Sequence, residues 1–65
     1  MIRIHKSILV EGSPANGNAV YYIEGACVSD DLNDLPTEGI AMGSKMYIVD
    51  DKEEQFFNEK TESWS

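Results

Sequence analysis

Short runs of β-branched and aromatic residues recur along this chain roughly every 8–12 residues, each bounded by turn chemistry, a rhythm that suits strands. "IRIHKSILV", Ile2 to Val10, alternates with a period of two. Ile2, Ile4, Ile8 and Val10 share one parity, interrupted by Lys6, while Arg3, His5 and Ser7 share the other. That pattern predicts a half-buried strand. "EGSPANGN" follows, with Gly12, Pro14 and Asn16-Gly17 as turn formers. "AVYYIEGACV", Ala19 to Val28, predicts a second strand with apolar groups on both faces, hence one that is central or covered by another chain. Within it Gly25 marks a bulge or a close backbone approach.

"SDDLNDLP" has room for one short helical turn, capped by Ser29 or Asp30 and ended by Pro36. Gly39 and Gly43 shape the loop "TEGIAMGS". "KMYIVD", Lys45 to Asp50, and "QFFNE", Gln55 to Glu59, predict a hairpin joined through "DKEE". A further turn leads to Ser63-Trp64, the start of a short last strand. The expected fold is all-β: one domain over residues 1–65, an antiparallel meander or small sandwich of about four or five strands. At most one short helical turn is expected, near residues 30–35.

A chain of 65 residues buries only about 60% of its unfolded surface. Chains this small often lean on disulfides, metals or association. Cys27 is the single cysteine, so neither an internal disulfide nor a cysteine-rich metal cluster is available. Association with a partner is therefore expected to complete the core. The lone cysteine suits a reducing compartment. No basic segment with a long apolar run opens the chain, and no apolar run approaches bilayer length, so neither a signal peptide nor a membrane span is expected.

Charge divides the chain unevenly. Residues 1–28 are balanced by Arg3, Lys6, Glu11 and Glu24, and residues 29–65 carry the whole net charge of -7. An acidic chain repels phosphate backbones, which argues against direct nucleic-acid binding. The acids are most simply solubilising.

No residue pattern encodes a reaction, a metal site or a cofactor site. Gly12 and Gly17 have the spacing of a phosphate loop, but Asn18 and Ala19 stand where it needs Lys and a hydroxyl. Asp31 and Asn33 alternate as calcium ligands would, until Leu35 breaks the series. The acids of "DDKEE" would diverge around a hairpin turn. His5 lies on a polar parity far in sequence from Cys27, and Cys27 between Ala26 and Val28 is a small buried apolar residue. The aromatics remain. Tyr22, Tyr47, Phe56, Phe57 and Trp64, with Val20, are the candidate interface residues, since Tyr and Trp suit surfaces that are apolar yet partly wet.

The segment Leu35 to Trp64 resembles a module of small bacteriophage and prophage structural proteins. Its marks are Pro36-Thr37, Gly43-Ser44, the strand "MYIVD", the aromatic pair in "QFF" and the closing Trp64. It departs from the pattern in carrying "DKEE" where Thr-Gly-like residues are common, and Asn58 where aspartate is. The resemblance implies a structural or attachment role without catalysis. The expected partner is protein, either itself as a homo-oligomer or a phage structural component, with no membrane and no cofactor. The setting it implies is a bacterial host cytoplasm, with incorporation into a virion. Two other readings of the residues stay open: a small acidic regulator that sequesters a host or phage protein, and a carbohydrate-binding module using surface aromatics.

Overall fold

The pattern of strands and turns builds a single five-stranded sheet. A computed structural model describes every residue from Met1 to Ser65. The strands are β1 (Arg3–Glu11), β2 (Val20–Cys27), β3 (Lys45–Ile48), β4 (Glu53–Asn58) and β5 (Ser63–Trp64), and they lie side by side in that order. Two short 3-10 segments, Pro14–Asn16 and Ser29–Asp34, sit in the connections. The expected all-β class holds, as does a helical turn near residues 30–35. The turn formers Pro14, Asn16 and Gly17 wind a second one, closed by Gly17 in the left-handed region at φ 72°.

The topology differs from the expected antiparallel meander at one place. β1/β2, β3/β4 and β4/β5 are antiparallel, but β2 and β3 run parallel, with Glu24 to Cys27 opposite Lys45 to Ile48. Parallel neighbours need a crossover of a dozen or more residues. Residues 28–44 supply it, and Pro36 keeps that crossover from being a helix. There is no second sheet to make a sandwich. The crossover itself is the second layer.

The core lies between the sheet and this crossover. Ile23, Cys27, Met46, Ile48 and Phe57 point inward from the strands, and Leu35 and Ile40 meet them from the crossover. Ile2, Tyr21, Leu32 and Trp64 pack around the margin. Trp64 stands edge-on to Phe57, ring centroids 5.4 Å apart at 61°, and its indole N–H donates to the Pro36 carbonyl at 2.8 Å. The C-terminal strand is thereby fastened over the crossover.

Ser44 is the one polar residue wholly inside, at 0% exposure. On the parallel side of β2, the bridge of Tyr21 to Ile40 ends before the ladder from Glu24 to Lys45 begins. The Ile23 N–H lies between them. Ser44 Oγ accepts that N–H at 3.0 Å and donates its own proton to the Ala41 carbonyl at 2.9 Å. The Ser44 carbonyl in turn accepts the Phe57 N–H at 2.9 Å.

β1 departs most from expectation. Instead of a half-buried strand, all nine of its residues are exposed. The register against β2 skips at His5 and again at Val10. Ile4 therefore pairs with Gly25, on the parity of the core residues Ile23 and Cys27, whereas Ile8 pairs with Tyr22 on the opposite face. The apolar stripe read from alternation is split by bulges, because each extra residue reverses the side-chain parity beyond it. The crossover does not reach under this edge. At Gly25 the strands come so close that a Cβ would sit 2.2 Å from the Arg3 carbonyl oxygen.

The helical turn at Ser29–Asp34 is also capped differently from expectation. Asp31 Oδ2 accepts the Val28 N–H at 3.3 Å, while Ser29 is turned outward to Asp50.

Two outcomes follow for stability, both read by thermal unfolding with Trp64 fluorescence. Ser44→Ala strands the buried Ile23 N–H and is expected to cost about 1–3 kcal/mol; an unchanged melt would show that the seam does not need this hydroxyl. Gly25→Ala is expected to cost about 1–3 kcal/mol by overpacking, with faster amide exchange at the start of β1. Wild-type exchange there would mean that β1 does not lie against Gly25.

Candidate interaction surface

Because Ile23 and Cys27 face the core, Tyr22, Glu24 and Ala26 face away from it. Met46 and Ile48 are buried, so Lys45 and Tyr47 share that outer face. Cross-strand pairing then sets rows across the sheet. Ile8 stands opposite Tyr22; Lys6, Glu24, Lys45 and Phe56 form one row; Arg3, Ala26, Tyr47 and Glu54 form another. No segment of the chain packs over these rows. Tyr47 and Phe56 are left 40% and 47% exposed.

The centre of the face is an ionic cluster. Glu24 Oε2 accepts the Tyr22 hydroxyl at 2.5 Å and stands 3.9 Å from the Lys45 ammonium. The hydrogen bond from Tyr22 holds the Glu24 carboxyl below its ordinary range against the opposing effect of burial, with Lys45 and Lys6 adding to the shift. The same bond raises the Tyr22 hydroxyl above its ordinary value. Donor and acceptor thus stabilise each other's present state.

Beside the cluster, β1, β2 and the crossover leave an open groove. Val10, Val20, Tyr22, Ala41 and Met42 line it together with Glu11 and Glu59. Apolar side chains with carboxylates beside them make a surface of the kind that proteins bury against one another.

The six candidate interface residues divide. Tyr47 and Phe56 lie on the open face, and half-buried Tyr22 and Val20 border the groove. Phe57, 3% exposed, is a core residue, and half-buried Trp64 is engaged in covering it. Adjacent Phe56 and Phe57 point to opposite faces of β4, so only one of them can meet a partner. Sequence reasoning missed Ile8, Val10 and Met42, which are all exposed on this side. It had placed Ile8 and Val10 on a core-facing parity that the bulges displace. Met42, in a loop, belongs to no periodic pattern that would have flagged it.

The acidic runs hold the crossover in place. Asp50 accepts two bonds from Ser29, from the backbone N–H at 2.9 Å and from the hydroxyl at 2.6 Å. This ties the start of the crossover to the β3–β4 turn. Asp31 Oδ2 accepts from the Met1 ammonium at 2.5 Å as well as from Val28. Hydrogen bonding to the charged form lowers both carboxyls, from Ser29 at Asp50 and chiefly from the Met1 ammonium at Asp31. Cys27 is buried, and that burial pushes its thiol up, away from the nucleophilic thiolate.

Compared with known proteins, the chain matches no family model, no curated protein and no solved structure.

A depressed carboxyl stabilises the fold at pH above its unfolded value and loses that contribution as pH falls through its folded value. The Asp50 contribution is therefore complete above about pH 5 and disappears in more acidic solution. Asp50→Asn is expected to lower stability at neutral pH and to flatten the acid limb of the stability–pH curve. Parallel curves for the two proteins, measured by urea unfolding, would refute the Ser29–Asp50 tie.

Proposed function

We propose that this protein is a non-enzymatic structural or assembly module of the phage and prophage type, acting through protein–protein contacts. It self-associates or docks on a larger virion component, working first in a bacterial host cytoplasm and then within the particle. The observation that carries this reading is the uncovered outer face of the sheet, continuous with the apolar groove. A sheet ordinarily packs both apolar faces or leaves the outer one polar. Here Ile8, Tyr47 and Phe56 stand exposed on the outer face, with Met42 at the groove beside it.

Other features support it. The loop–hairpin–Trp unit resembles phage structural modules: Gly43-Ser44 leads into β3, Asp50 lies in the turn, Phe56-Phe57 return on β4, and Trp64 follows. No helix is long and apolar enough to cross a membrane. The charge of -7 disfavours phosphate backbones as direct partners. A capsid or tail presents many copies, so individually weak contacts suffice by multivalency.

Light scattering on the protein alone, and mixed with the products of neighbouring genes, tests the proposal. The expected result is self-association or a stoichiometric complex. Tyr47→Ser combined with Phe56→Ser is expected to weaken it, while stability shifts little at these exposed positions. A strict monomer that binds none of those products would sink the reading.

A further inference from the structure

The two edges of the sheet are guarded very differently. β5 is two residues long, and the turn before it carries Glu59 and Glu62. Inward of it, Phe56 on β4 exchanges both backbone hydrogen bonds with Ser65, and the open start of β4 carries Glu53 and Glu54. Short length and like charge are how proteins keep an edge from recruiting another strand. At the other edge β1 is nine residues long, wholly exposed, and bears Ile4, Ile8, Leu9 and Val10. Its own charges, Arg3 and Lys6 toward one end and Glu11 at the other, make it complementary to an antiparallel copy of itself.

Resting on the reading of this protein as a contact module, we infer that the partner of β1 is the β1 of a second copy, joined antiparallel about a two-fold axis midway between the two copies of Ser7. Symmetry and charge select that register. A two-fold normal to the sheet keeps each face continuous, so the axis must pass midway between the two copies of one residue, which face each other. Arg3 and Glu11 are equidistant from Ser7, and both lie on the outer face, paired with Ala26 and Val20. The axis at Ser7 sets Arg3 opposite the partner's Glu11, twice over. An axis at Lys6 would oppose two lysines, which destabilises a strand pair. An axis at Ile8 would carry Arg3 past the end of the partner strand. The bulges at His5 and Val10 frame Lys6–Leu9 as the regular run that pairs.

Long-range charge favours the same arrangement. The excess negative charge belongs to residues 29–65, and residues 1–28 are neutral. Strands lie about 4.7–4.9 Å apart, so joining at β1 sets the two β5 edges roughly 40 Å from each other. That exceeds the Debye length of about 8 Å in physiological salt several-fold, and the acidic regions are screened from one another. With one receptive edge per molecule the assembly closes as a dimer, whereas two such edges would propagate a filament. The outer faces of both copies merge into one ten-stranded surface.

The test is sedimentation equilibrium over a range of concentrations with two variants at Ser7, which is exposed and makes no side-chain hydrogen bond. Wild type is expected to form a concentration-dependent dimer. Ser7→Lys opposes two lysines on the axis and is expected to weaken dimerisation about tenfold or more, with an unchanged circular dichroism spectrum. Ser7→Cys is expected to give a disulfide-linked dimer under mild oxidation, because facing Cα atoms in an antiparallel pair are about 4.5–5.5 Å apart, within disulfide range. A monomer at every concentration overturns the inference. So does a dimer indifferent to Ser7→Lys, or one that fails to cross-link through Ser7→Cys, as an exchange of whole β1 strands between copies would. A monomer that still binds a neighbouring gene product would overturn the β1 pairing and leave the assembly role standing.

Discussion

The architecture depends on a serine hydroxyl in the seam of the sheet. Parallel pairing between β2 and β3 covers only Glu24 to Cys27, and the Tyr21–Ile40 bridge holds the other half of β2 to the crossover. Ser44 closes the gap by accepting from Ile23 and donating to Ala41, while its backbone carbonyl takes the Phe57 N–H. One residue thus joins the central strand, the crossover and the returning hairpin. Buried polar groups are expensive unless satisfied. With a core cluster of seven residues there is little apolar burial elsewhere to offset an orphaned donor.

That seam explains why the second layer can be a loop. The crossover contributes Leu35 and Ile40 to the core, and polar ties at its start and at its middle keep them there. Asp50 holds Ser29, Trp64 holds the Pro36 carbonyl, and Asp31 closes the first turn. An irregular segment has no repeating ladder, so each of its bends needs its own partner. The dense acids of this region are spent partly on those bonds, which is why their clustering resembles a ligand site in one dimension and is a set of clasps in three.

A loop covers less than a helix or a second sheet would. The crossover shields the inner side of β2, β3 and β4 and stops short of β1, and nothing lies over the outer face. The chain consequently keeps a small core and presents a large mixed surface, with an ionic cluster at Glu24 between apolar Ile8 and Phe56. Such a division suits a protein whose remaining apolar surface is buried by assembly. It also connects the two proposed contacts, since pairing at β1 extends the same outer face that would dock a larger component.

The strands, the turns and the β3–β4 hairpin were legible in the order of residues, because period-two alternation and turn chemistry act between neighbours. The same order signalled Gly25 as a special position and marked Val20, Tyr22, Tyr47 and Phe56, together with Phe57 and Trp64, as interface candidates. It offered Phe56 and Phe57 alike as interface residues, and nothing in their order along the chain shows which of the two faces inward. Tertiary structure alone decided that β2 and β3 run parallel, that bulges at His5 and Val10 split the apolar stripe of β1, that Phe57 belongs to the core and that Trp64 packs at its margin. Each of these turns on a partner distant in the chain. Strand direction depends on how residues 28–44 cross the sheet, parity depends on the register of the facing strand, and burial depends on what reaches over. Ser44 is the sharpest case: in sequence it is an ordinary Gly-Ser before a strand, and only the gap opposite Ile23 gives its buried hydroxyl a donor to satisfy.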